Sequence, residues 1–138
     1  MTEALAGYKV AGFDNSMGDW DDIQAWAQAE VAATIAALPA PLAAHARPLV
    51  ISYEDRPGRA LVREGYDPDL LGLFIGPPLA HPEESPLPPQ IVLFLRNLWD
   101  FAEGDVEIFR EEVRTTYLHE LGHYLGLDEI DLEERGLD

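Results

Sequence analysis

Near its C-terminal end the chain reads TTYLHELGHYLGLDEIDLEERGLD. His119 and His123 stand four residues apart, with Glu120 directly after the first. On a helix, residues four apart project from one face. Two imidazole nitrogens can then reach one metal ion at about 2.0–2.1 Å each. Glu120 is turned by about 100° from His119, so it lies beside such a metal and is free to take a proton from water. This is the division of labour of the H-E-x-x-H metalloproteases, in which two His ligate and the Glu is the general base. A solvated acidic helix can carry the same three residues with no metal at all. Against that reading, the triplet falls late in a helical pattern, apolar residues surround it, and Gly126 follows it closely.

A catalytic zinc usually takes three protein ligands and keeps one position for water. Gly126 can adopt a positive φ and turn the chain back under the helix. Three residues beyond it stands Glu129, which is the expected third ligand. Asp128 is the alternative, and Asp131 comes within reach if the turn is wider. Glu has one more methylene than Asp and can compensate for a looser turn. Most of the six acidic residues after Gly126 must still be solvated surface. His81, in a proline-rich stretch, and His45 are less favoured donors. The chain has no cysteine, so disulfides, thiolate sites and cysteine nucleophiles are excluded, and any metal must be held by nitrogen and oxygen. Tyr117 and Tyr124 are near enough in sequence to stabilise an oxyanion, but both read first as packing residues.

The balance of 9 basic against 26 acidic residues gives a formal charge of −17. Nucleic acids and anionic membranes require basic surfaces, so neither is an expected partner. A peptide or protein substrate is the expected partner; nothing specifies an oligomeric state. No apolar run approaches the length of a membrane span and the first residues do not read as a signal peptide, so a cytoplasmic location is the expectation.

The elements that must position the triplet follow from periodicity and punctuation. Residues 1–18 read as a loose leader broken by glycines, and 19–138 as one domain. Asp19 caps a helix over 20–38, with apolar residues at helical spacing from Ile23 to Leu38. Pro39 and Pro41 end it. Strands are expected near 48–53, over 70–76 and over 90–97. A loop is expected between the first two, and an extended loop over the six prolines of 77–89. LWDFAEG reads as a short helical turn stopped at Gly104. Asp105 caps the last long helix, 106–125, which ends at Gly126. The order predicts an α+β domain in which helices pack on one face of a small sheet.

With these residues in view, HELGHYLGLDE resembles the motif of small bacterial zincin-like metallopeptidases, the minimal zincins. LLGLFIGPPL, at 70–79, resembles a second stretch typical of them. The resemblance implies a compact zincin fold and a zinc held by two His and an acidic residue, usually Asp. It makes His119 and His123 ligands and Glu120 the catalytic base. The chain departs from the pattern in having Glu129 at the third position, with Asp128 just before it. It also has no Met after the helix, which excludes the Met-turn of the metzincins. The expected function is a zinc-dependent hydrolase, a metallopeptidase in which water activated by zinc is deprotonated by Glu120. A peptide would lie along an edge strand, for which LLGLFIG is the candidate. The alternatives are a non-catalytic zinc-binding or protein-interaction module on the same fold, and an acidic mimic of nucleic acid that binds no metal.

Overall fold

The computed structural model describes residues 19–127 and 129–135. The expected leader, 1–18, lies outside them. The order of elements is α1 (Trp20–Ala36), α2 (Ala40–Ala46), β1 (Val50–Glu54), α3 (Arg59–Arg63), β2 (Gly72–Ile75), β3 (Gln90–Phe94), α4 (Leu95–Phe101), α5 (Val106–Leu125) and α6 (Glu129–Glu134). A single 3-10 turn, Pro82–Glu84, interrupts the proline-rich loop. This is the α+β domain on a small sheet that the sequence predicts; the sheet has three strands and is mixed.

The sheet order is β1-β3-β2. β3 pairs in parallel with β1, from Val50↔Gln90 to Glu54↔Phe94, and antiparallel with β2, from Gly72↔Leu93 to Ile75↔Gln90. The central strand has both edges paired, and its side chains are buried on both faces. Ile91 and Leu93 join the main core, while Val92 and Phe94 are covered on the opposite side. That double burial explains its unbroken apolar sequence.

α1 begins where Asp19 accepts a hydrogen bond from the Asp21 N–H. It buries Ile23, Ala27, Val31 and Thr34, one stripe at helical spacing. α1 packs on α5, and α5 lies across β2 and β3. Trp26 of α1 stacks on Trp99 of α4 at 5.7 Å, and Trp99 meets Phe109 of α5 edge-on at 5.4 Å. This aromatic row joins the three helices, with offset and edge-to-face contacts that aromatic rings favour.

Three expectations need correction. Pro39 and Pro41 do end α1, but they also start α2: Pro39 sits at its N-cap and Pro41 in its first turn. Proline lacks an N–H that the first turn would leave unpaired anyway, so it opens helices as readily as it stops them. Residues 95–97 do not extend the third strand, because β3 passes directly into α4. The loop between β1 and β2 contains α3, and the acidic tail contains α6.

Tyr117 is fully buried, and its hydroxyl has no hydrogen-bond partner among the described residues. Burial, with a smaller contribution from Tyr53, pushes its pKa up to about 12. A hydroxyl desolvated without a partner costs about 1–3 kcal/mol. Tyr117→Phe should therefore leave stability at neutral pH unchanged or raise it by up to about 2 kcal/mol. The folded-state pKa lies above the unfolded value of 10.0, so the wild type should lose stability as pH rises from 10 to about 12. The variant should lack that share of the alkaline loss. Denaturant unfolding at pH 7 and pH 11 measures both effects, and a drop above about 1 kcal/mol at pH 7 would mean that the hydroxyl is partnered.

Candidate metal centre

α5 carries the triplet, and both of its ends are fixed as the sequence predicts. Asp105 accepts a hydrogen bond from the Ile108 N–H at 3.1 Å. At the other end Gly126 adopts φ 75°, ψ 27°. The Leu127 N–H bonds the Gly122 carbonyl at 2.8 Å and the Gly126 N–H bonds that of His123 at 3.3 Å. This is the Schellman arrangement, which needs a residue free to take a positive φ. The apolar face of α5, including Phe109, Val113, Tyr117 and Leu121, is buried in the core. The helix therefore cannot rotate without emptying that core, and its other stripe is held toward the edge of the sheet.

On that stripe His119, Glu120 and His123 come together. Each offers one ligand atom such that all three atoms lie within 4.8 Å of one another. The two imidazole rings are 4.7 Å apart, edge to face. His119 is half-buried and His123 exposed, so the imidazoles reach the surface. Glu120 is only 7 % exposed. Its Oε1 lies 3.3 Å from His123 Nδ1, and the Phe74 backbone N–H faces it closely enough to favour its charged form. Burial raises the Glu120 pKa above the ordinary carboxylate value, opposed by the two imidazoles and the Phe74 N–H. A carboxylate so placed is a stronger base than a solvated one.

β2 supplies that N–H because it is an edge strand. The Phe94 N–H bonds the Leu71 carbonyl at 2.9 Å. In an antiparallel pair the bonded positions alternate, so the polar groups of Gly72 and Phe74 point off the open edge. Gly72 lets the edge approach α5 closely: a Cβ there would stand 2.6 Å from Thr116 Cγ2 and 3.4 Å from Glu120 Cγ. Phe74 packs its ring against Tyr124 at 5.6 Å.

The other candidates are placed differently. Asp128 lies outside the described residues, as does the side chain of Glu129, whose backbone opens α6. Asp131 is not part of the three-residue group among the described residues. His81 instead groups with Glu83 and Glu84 on the exposed 3-10 turn, and His45 is exposed on α2. Tyr117 is locked in the core, and Tyr124 packs on Phe74.

Asn97 escaped the sequence reading. It is 4 % exposed and donates to the Pro68 and Leu70 carbonyls at 2.8 and 2.9 Å, while accepting from Arg56 at 2.7 Å. It ties the approach to β2 onto α4. Its only signal was one Asn set between leucines and a tryptophan in LRNLW.

Two imidazoles on one face, with no sulfur, supply two nitrogen donors suited to zinc, and Glu120 stands beside them. Among the described residues no helix is long and apolar enough to cross a membrane. The profile of a family described as zincin-like metallopeptidase matches residues 46–137, which include β1 to α5 and the whole candidate centre. No curated protein matches the chain.

Proposed function

The chain belongs to the zincin-like metallopeptidase family, and on that premise we propose that it is a zinc-dependent hydrolase acting on peptide bonds. The observation that carries this reading is the convergence of His119, Glu120 and His123 within 4.8 Å, with the carboxylate buried and the imidazoles reaching solvent. His119 and His123 hold the metal, and Glu129 is the proposed third ligand. Bound zinc supplies Lewis acidity toward a carbonyl oxygen and acidifies water. Glu120 takes the proton from the attacking water and passes it to the leaving amine. The open edge of β2, with its Gly72 backbone groups, gives an extended peptide a place to add as a strand.

Metal titration tests the ligand set. Purified protein should take up one zinc per chain. Glu129→Ala should weaken that binding by at least about 10–100-fold, more than the loss of an outer partner causes. Asp128→Ala and Asp131→Ala should weaken it less. If Asp128→Ala is the damaging change, the turn after Gly126 delivers the earlier residue and the assignment of Glu129 is wrong. If the wild type takes up no zinc, the hydrolase reading fails.

A further inference from the structure

A cavity of about 380 Å³ opens beside His119 and Glu120, between α5 and the chain leading into β2. Resting on the hydrolase reading above, we propose that this cavity is a subsite for a Lys or Arg side chain of the peptide substrate, and that Glu112 selects it. Leu70 and Leu71 form the apolar wall. Thr115 and Thr116 line the helix side, and Glu112 lies beyond them. The α5 residues follow one stripe: 112, 115 and 116, then 119 and 120. Glu112 precedes His119 by seven residues, which places it about 10 Å along the helix axis.

Lys and Arg combine an apolar stem with a charged tip, which matches an apolar wall ending in a carboxylate. One residue of extended peptide advances about 3.3 Å, so a long side chain near the scissile bond is what spans the remainder. Among the described residues no Lys or Arg pairs with Glu112, which leaves its charge available to a ligand. An acidic side chain in the same space would face both Glu112 and Glu120. A leucine would remove water from the Glu112 carboxylate without replacing its hydrogen bonds.

The test must separate this subsite from the general pull of a chain carrying −17. Peptides identical except for one Lys, Leu or Glu, scanned through the positions around the cleaved bond, are offered to the wild type, Glu112→Gln, Glu112→Lys and Glu111→Lys. Glu111 is exposed and does not line the cavity, so its reversal changes the net charge equally. Cleavage is read as kcat/KM with zinc bound. Binding is read separately by fluorescence anisotropy in a Glu120→Gln background, at about 0.15 M salt to shorten the reach of distant charges. The wild type should favour Lys over Glu at one position by roughly tenfold or more. Glu112→Gln should flatten that preference, Glu112→Lys should invert it, and Glu111→Lys should leave it in place.

A preference that survives Glu112→Lys overturns the subsite, as does one that Glu111→Lys erodes equally. Binding that depends on Glu112 with no cleavage of any peptide sustains the subsite and refutes the hydrolase. Cleavage indifferent to Glu112 does the reverse. Absence of both binding and cleavage refutes both.

Discussion

Glu120→Gln should leave zinc uptake nearly intact and lower peptide hydrolysis by on the order of 10²–10⁴-fold, the usual share of a positioned general base. The amide keeps the shape of the carboxyl but cannot accept a proton at neutral pH. If Glu120 were only a charge on a helix face, the change would be within about half a kcal/mol of neutral and hydrolysis would persist. Its burial, and the Phe74 N–H facing it, argue against that. The metal-free protein gives a second readout. Burial raises the folded-state pKa of Glu120 above the unfolded value, so its contribution to stability is present below the unfolded pKa and is lost as pH rises through the folded one. Gln carries no such charge, so the metal-free variant should be at least as stable as the wild type at neutral pH. Zinc content, unfolding midpoint and hydrolysis should be measured side by side. Lost zinc would make Glu120 a ligand and remove the mechanism. Absent wild-type turnover on a broad peptide library would leave a zinc-binding module.

The second large effect is at Gly72. Its missing side chain lets β2 press against α5, and an added Cβ would stand 2.6 Å from Thr116 Cγ2. Cγ2 belongs to a short, buried, β-branched side chain with little room to turn aside, so the strain falls on the spacing of strand and helix. Gly72→Ala should cost about 1–3 kcal/mol, the usual range for overpacking. It should also reduce hydrolysis, because the same movement separates the Phe74 N–H from Glu120. Thr116→Ser removes the offending methyl, so adding it to Gly72→Ala should recover most of both losses. Gly58→Ala is the control, because nothing lies within 4 Å of its added Cβ. Additive effects of Gly72→Ala and Thr116→Ser in a double-mutant cycle would show that the contact does not govern the approach.

Much of this centre was legible in the sequence because it depends on local rules. The cap at Asp105, the helical spacing through 106–125 and the stop at Gly126 are short-range signals, and all three hold. The spacing of His119 and His123 fixes their common face with no knowledge of the fold. α1 was legible for the same reason. What was not legible depends on partners distant in the chain. The Phe74 N–H reaches Glu120 only because β2 lies at the sheet edge, and nothing in GLFI specifies its neighbour. The run QIVLFLRNLW contains a strand and a helix with no break between them, since Phe94 enters α4 without a capping side chain. Pro39 and Pro41 carry two opposite meanings, and only the residues after them decide which applies. The third ligand rests on a spacing argument from Gly126.

The sheet order bears on how the chain comes together in time. β1 and β2 are made first, yet neither pairs with the other; among the described residues both pair only with β3. During synthesis two strands must therefore wait, unpaired, until residues 90–94 leave the ribosome. α5, against which α1 packs, is made later still. The β1–β3 and α1–α5 contacts join early segments to late ones, and such pairings form slowly because long loops must close before pairing rewards them. A ribosome stalled before β3 should display a nascent chain without a sheet, readily cut by protease. Release of the last third should set the sheet, the core and the His119–Glu120–His123 centre in one cooperative event.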